Sequence, residues 1–320
     1  MNDTERQAPV ARAEEASSPP ARWRVLTAFG IIYVIWGSTY LAILFAIETL
    51  PPFLMASARF LIAGAVLYFV ARRFGGAAAP SRAEWRAAAI VGVLLLVFGN
   101  GTVVWSESRV PSGVAALIVG VVPCCMVLLD WLRPRGTRPT MQVVMGLVLG
   151  LAGLLVLIGP DALVGGGRAD LIGVAVLVLG SLSWAAGSIY TRHAGLPRSP
   201  FLTTGMEMLA GSAGLLILAL LQGEPAHVDT ASFSLLSLAG WLYLIVFGSI
   251  VAFTAYVWLL RVSTPARVST HAYVNPIVAV LLGWSFASEP LTLRMMIAAA
   301  VIVSGVALIT LAPRPVEAAS

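Results

Sequence analysis

The stretch STHAYVNPIVAVLLGWSF, residues 269–286, is apolar enough to sit in hydrocarbon, yet its first half carries His271, Asn275 and Pro276. His271 and Asn275 are four residues apart and share a helix face. Pro276 cannot donate the hydrogen bond that the carbonyl of Ala272 would accept, and its ring bends the rod. Pro123 is expected to kink an earlier segment in the same way, freeing the carbonyl of Val119. Carbonyls freed in lipid are costly and are tolerated where they face protein or water. The stretch therefore reads as a polar helix face beside a bent backbone, lining a cavity at mid-membrane depth. The plainer alternatives are that Asn275 only bonds a neighbouring helix and that His271 sits near a helix end.

Other polar groups could converge on that cavity. One segment offers Trp36, Ser38, Thr39 and Tyr40, and another Trp184, Ser188 and Tyr190. A third offers Asn100, Thr102 and Trp105, and a fourth Thr254, Tyr256 and Trp258. Aromatic rings would give a solute apolar area and a face that attracts cations; packing or a membrane-interface belt is the ordinary use of such residues. Arg59 and Glu207 are ionisable residues set inside apolar runs, where a charge costs a few kcal/mol unless hydrated or paired. Glu207 could take up and release a proton, or could hold a backbone or hydroxyl group. Asp130 and Arg133 read as an ion pair near a membrane surface.

These residues need membrane-spanning elements to hold them. The chain is 59% hydrophobic and 11% charged, with mean hydropathy +0.91, whereas soluble proteins carry about 25% charged residues. Ten apolar runs approach or reach the ~17–25 residues that cross a bilayer: 25–47, 53–71, 86–106, 113–131, 141–159, 171–191, 200–221, 235–259, 268–287 and 293–312. Residues 1–21 read as a polar, disordered tail and 314–320 as a second short tail. The first run lacks a convincing cleavage site and reads as a retained helix.

All 20 basic residues are arginine. Sixteen of them flank one set of connections, whereas the alternate connections hold only Arg109, Arg168 and Arg294. Arginine-rich connections stay in the cytoplasm, which expects both termini there. The scattering of these arginines between apolar runs does not make a nucleic-acid surface.

The second half echoes the first. Trp36 recurs as Trp184 and PPF (51–53) as SPF (199–201), each 148 residues on. Arg59 and Glu207 are also 148 apart. Trp105 with Trp258, Pro123 with Pro276, Trp131 with Trp284 and Pro160 with Pro313 are 153 apart. Five spans per copy make the second copy enter from the opposite face, the inverted repeat of many secondary transporters. The fold class expected is all-α integral membrane, ten transmembrane helices as two inverted five-helix repeats, 22–160 and 168–313. Inversion puts Arg59 and Glu207 at different depths, on the order of 10 Å apart along the normal, which disfavours a direct salt bridge.

The motifs IWGSTYLAI (35–43), PPFLMASARF (51–60), PSGVAALI (111–118), GSLSWAAGSIY (180–190), AYVNPIVAVLLG (272–283) and EPLT (289–292) resemble the EamA-type family of the drug/metabolite transporter superfamily, in particular its YedA-like bacterial inner-membrane members. The resemblance covers about residues 23–312. It implies ten helices, two EamA repeats around a central cavity, and export of small metabolites, amino acids or drugs. Glu289 of EPLT has no counterpart in the first repeat, where RPRGTRPTM stands, so it is not half of a symmetric pair.

No His, Cys, Asp or Glu grouping in the sequence has zinc spacing, and no phosphate-cradling G-x-x-x-x-G-K-[ST] loop occurs, so neither metal nor cofactor is expected. Cys124 and Cys125 are adjacent inside an apolar run and do not form a disulfide framework. The reading is a secondary transporter with a small-molecule substrate, a lipid surround and protons as a possible coupling ion. Two rivals stay open: an importer or exchanger of phosphate- or sugar-type solutes on the same fold, and a membrane enzyme acting on lipids.

Overall fold

The computed structural model describes residues 20–106, 118–134, 136–164, 171–286 and 292–313. Residues 1–19 and 314–320 of the two tails, the motif residues 111–117, the 165–168 loop and Glu289 lie outside the described residues. Among those described there are ten helices of 11 residues or more and no strand. They are α1 (Arg22–Ile47), α2 (Pro52–Arg73), α3 (Arg82–Ser106), α4 (Val122–Leu132), α5 (Met141–Val164), α6 (Leu171–His193), α7 (Pro200–Leu221), α8 (Leu235–Val262), α9 (His271–Phe286) and α10 (Leu293–Leu311). Six of them, α1, α2, α3, α7, α8 and α10, are long and apolar enough by length and composition to cross a membrane. Stretches 122–132 and 141–156 are shorter apolar helices.

Local chemistry sets where several helices begin. Pro52 and Pro200 open α2 and α7 at the same repeat position, where the missing N–H is not needed. Ser199 caps α7 by accepting from the Leu202 N–H. Its counterpart Pro51 cannot, and Glu224 instead reaches across from beyond α7. The Glu224 carboxylate accepts from the N–H groups of Phe53 at 3.0 Å and Leu54 at 2.7 Å. At α3, Ser81 and Glu84 form a reciprocal capping box.

The repeat is visible in how helices pair. Ser57 Oγ of α2 donates to the Ser212 carbonyl of α7 at 2.9 Å. Further along, a Cβ on Gly64 would lie 3.0 Å from the Gly205 carbonyl. Numbers rise on α2 as they fall on α7, so these equivalent helices pack antiparallel. The 148-residue offset turns the 57–212 contact into the 205–64 contact, which makes the interface self-complementary. Such an interface requires a pseudo-two-fold axis perpendicular to the rods, hence an inverted repeat. Helices α5 and α10 behave alike: Gln142 Nε2 donates to the Leu308 carbonyl at 3.1 Å, while Gly153 lies against Ile302. Around them, α1 packs on α8 and α9 as α6 packs on α3 and α4.

Both repeats also widen the same rod. A π-helical stretch runs over Val93–Asn100 in α3 and over Leu244–Phe253 in α8. The 153-residue offset superposes their last residues, Asn100 and Phe253. π-Helical turns interrupt the i→i−4 ladder and occur often at functional sites.

The two prolines differ. Pro276 lies inside α9, as expected. Pro123 does not kink a continuous rod: the chain turns at Gly120–Val121 and α4 restarts at Val122, so Pro123 falls in its first turn. There the missing N–H costs nothing.

Candidate functional site

A cavity of about 100 Å³ lies between the repeats, walled by α1, α2, α3, α4, α6, α8 and α9. At ~10–15 Å³ per water centre it has room for several waters. Three helices present stripes at i, i+3, i+4 and i+7: Trp36, Thr39, Tyr40 and Ile43; Leu96, Gly99, Asn100 and Val103; Leu177, Gly180, Ser181 and Trp184. The wall is completed mainly by Arg59 and Phe60 of α2, Phe253 of α8, and His271 and Asn275 of α9.

Trp36 and Trp184, equivalent in the repeat, meet edge-on with ring centroids 5.6 Å apart. Equivalent residues in contact lie on the pseudo-two-fold axis, which places this pair at the middle of the bundle. Tyr256 stands 4.9 Å from Trp36 and 5.5 Å from Trp184, and His271 stands 5.0 Å from Trp36. Trp36 Nε1 donates to the Gly248 carbonyl at 3.2 Å. Trp184 Nε1 donates to the Tyr256 hydroxyl at 2.9 Å, and Ser188 Oγ lies 2.6 Å from the same hydroxyl. The indole N–H groups of both tryptophans are thus satisfied within the bundle, and the two rings pack edge to face on the cavity wall.

Polar groups on the wall are strongly buried and partly unpaired. Arg59 is 3% exposed. Its Nε donates to Ser249 Oγ at 2.7 Å and its guanidinium carbon lies 4.7 Å from the Phe60 ring centroid, while Nη1 has no hydrogen-bond partner. Gly248 makes room for it, since a Cβ there would sit 2.9 Å from Nη2. Asn100 Oδ1 and Asn275 Oδ1 are buried without partners. His271 is the first residue of α9, and its Nδ1 lies 2.9 Å from the Val268 carbonyl. A carbonyl only accepts, so Nδ1 carries the proton of this bond. The site can therefore offer one cation, amide groups, an imidazole and aromatic faces within one small space.

The structure separates residues that the sequence grouped. Ser38 does not line the cavity; its Oγ donates to the Ile35 carbonyl and lies 2.6 Å from the Tyr243 hydroxyl. Trp105 is half-buried in the core away from the cavity wall. Ser188 and Tyr256 stand behind Trp184 in a second layer. Glu207 is fully buried on α7, outside the wall, with neither carboxylate oxygen hydrogen-bonded. Among the described residues no ion pair joins it to Arg59. One turn before Glu207, Thr203 accepts from Arg261 Nη2 at 2.8 Å. Gly248 and Ser249, which seat Trp36 and Arg59, were not singled out from sequence; a glycine and a serine inside an apolar run are the signal that could have found them.

The sequence profile of the EamA-like transporter family matches residues 23–159 and again 171–311. The chain is 39% identical over 295 residues, 90% of its own length and 92% of the relative's, to the uncharacterized inner membrane transporter YedA of Escherichia coli (strain K12). It is 26% identical to the uncharacterized transporter YvbV of Bacillus subtilis (strain 168) over 94% of this chain and 96% of that one. With protein PecM of Dickeya dadantii (strain 3937) it shares 29% identity over 81% of this chain and 82% of that one. A crystal structure at 21% identity covers 91% of this chain and 98% of its own with a TM-score of 0.73, which shows the same fold. A transporter family sets aside the membrane enzyme acting on lipids and makes a small molecule the substrate. Two copies of one profile on ten helices, closing on a buried polar cavity, make the chain a membrane transporter that belongs to the EamA-like transporter family.

Proposed function

We propose that the protein exports a small zwitterionic or amphipathic metabolite, such as an amino acid, from a bacterial cell by alternating access across the inner membrane, with both termini in the cytoplasm and a proton moving the other way. The observation that carries this reading is the set of buried, unpartnered polar atoms on residues that line the central cavity. Arg59 Nη1 is a cationic donor, and the Asn100 and Asn275 carbonyl oxygens are acceptors. A carboxylate on Arg59 and an ammonium on the amide oxygens would satisfy all three, with the solute's apolar part against Trp36, Trp184 and Phe253. A phosphate- or sugar-phosphate-type solute brings two or more negative charges to a single guanidinium, which fits less well. Glu207 supports the coupling. A buried carboxylate costs several kcal/mol unless paired, and both Glu207 oxygens are buried without a partner, so a shift of α7 that brings water or Arg261 within reach would couple its proton exchange to the change of facing. Only unequal stabilisation of the two facings by solute and proton can turn the cycle.

Proteoliposomes test each part. A panel of amino acids and amphipathic amines is assayed by counterflow and by gradient-driven flux. Arg59→Gln should weaken apparent affinity for carboxylated solutes ~10- to 100-fold, the loss expected for a hydrogen bond to a charged group, and leave amines lacking a carboxylate little changed. Equal loss for both classes removes Arg59 from recognition. Glu207→Gln should retain counterflow and lose the response to a pH gradient; unchanged gradient-driven flux removes Glu207 from the coupling.

A further inference from the structure

A second cavity, about 220 Å³, opens at the arginine-rich end of the bundle. The ends of α4, α6 and α10, the start of α5 and the turn before α9 enclose it. Arg133, Arg138, Arg192 and Arg267 line it, with Asp130 as the one carboxylate of its lining among the described residues. Asp130 is already committed: it accepts from Arg133 Nε at 2.7 Å and from Thr137 Oγ1. Arg192 donates to the Leu260 and Ser263 carbonyls and keeps a buried Nε with no partner. Arg267 Nη2 donates to the Ala312 carbonyl at 2.7 Å. Arg138 makes no hydrogen bond or ion pair among the described residues. The N-terminus of α5, capped by Thr140, adds the positive end of a 24-residue helix. Among the described residues, one carboxylate against four guanidiniums and a helix N-terminus leaves the cleft short of negative charge.

The surroundings indicate what brings that charge. Leu128, Trp131 and Leu132 of α4 and Met141, Val144 and Met145 of α5 are exposed beside the cleft. In a membrane-spanning bundle these faces meet acyl chains, so a cationic cleft sits directly above a lipid-facing apolar wall. We propose that the cleft binds the phosphate of an anionic phospholipid, whose chains lie along α4 and α5. Basic pockets between helices at the cytoplasmic surface have this use.

The test is native mass spectrometry of the detergent-solubilised protein with phosphatidylglycerol or phosphatidylcholine added at equal concentration. Phosphatidylglycerol should be retained in preference. Arg138→Gln should cut that preference about fivefold, the effect of one arginine near an anionic surface. Arg138→Lys should restore most of it, and Arg82→Gln, an exposed arginine outside the cleft, should leave it intact. Equal retention of the two lipids, or equal loss in the Arg138 and Arg82 variants, overturns the proposal. So does a thermal shift with inorganic phosphate that Arg138→Gln abolishes while neither lipid is preferred; that result would assign the cleft to a free anion. Should Arg138→Gln fail to fold, wild-type protein decides: retention of phosphatidylglycerol must fall as salt rises, and salt-insensitive retention overturns the lipid site.

Discussion

Replacing Asn275 by leucine is expected to stop transport and at the same time to stabilise the protein. Asn275 is 4% exposed and its Oδ1 has no hydrogen-bond partner. A buried amide left unpaired costs ~1–3 kcal/mol, and an apolar side chain of similar volume removes that penalty. The midpoint of thermal unfolding in detergent should therefore rise by several degrees. Transport should drop at least ~10-fold, because the substituted wall presents a methyl group where a solute would meet an acceptor. Asn100→Leu should act in the same sense from the opposite repeat, since Asn100 Oδ1 is likewise unpaired. His271 provides the contrast. Its Nδ1–H serves the Val268 carbonyl, so His271→Leu removes a bond that is made, and should lower stability. A lower midpoint for Asn275→Leu would mean that the amide holds the helices together, and would remove it from the solute site. Opposite signs for activity and stability are expected where a polar group is kept for function at a cost to the fold.

Much of this arrangement can be read from residue spacing. The offsets of 148 and 153 residues already carry the pseudo-symmetry that brings Trp36 onto Trp184. Proline at the second position of both PPF and SPF, Pro52 and Pro200, marks equivalent helix N-termini. Facing is harder to read, because α1 is apolar on every side and no polar face marks the exterior. Ser38, Thr39 and Tyr40 are consecutive, and at 100° per residue they cannot all point into one space. The stripe 36, 39, 40 and 43 faces inward and leaves Ser38 to Tyr243. Trp105 misses the cavity for the same reason: it falls off the stripe 96, 99, 100 and 103. Two further features depend on partners distant in sequence. Glu224 caps α2 from 171 residues away, and Arg59 finds Ser249 on a rod widened by a π-helical stretch. Neither the register of that stretch nor the reach of a loop carboxylate has a local signature.

Gly92→Ala should be among the most destabilising single-methyl changes in the protein, whereas Gly30→Ala should be neutral or stabilising. A Cβ on Gly92 would lie 2.4 Å from the Glu207 carbonyl oxygen and 3.0 Å from the Gly211 nitrogen. Both neighbours are main chain of α7, so no rotamer change relieves the overlap, and α3 must move away from α7. Helices in lipid are held by close approach rather than by a hydrophobic drive between them, so that separation forfeits contacts along the whole crossing. A cost of ~1–3 kcal/mol is expected from overpacking. At Gly30 a Cβ meets nothing within 4 Å, and alanine gains up to ~1 kcal/mol of helix propensity over glycine. Thermal unfolding of the two variants in one detergent gives the comparison, and equal midpoints would show that the α3–α7 approach is not needed for stability. Transport adds a second readout. Gly92 immediately precedes the π-helical stretch that ends at Asn100, so a displaced α3 also carries Leu96, Gly99 and Asn100 out of the cavity wall. Activity in Gly92→Ala should then fall even at temperatures where the variant is fully folded, while Gly30→Ala should transport as the wild type does.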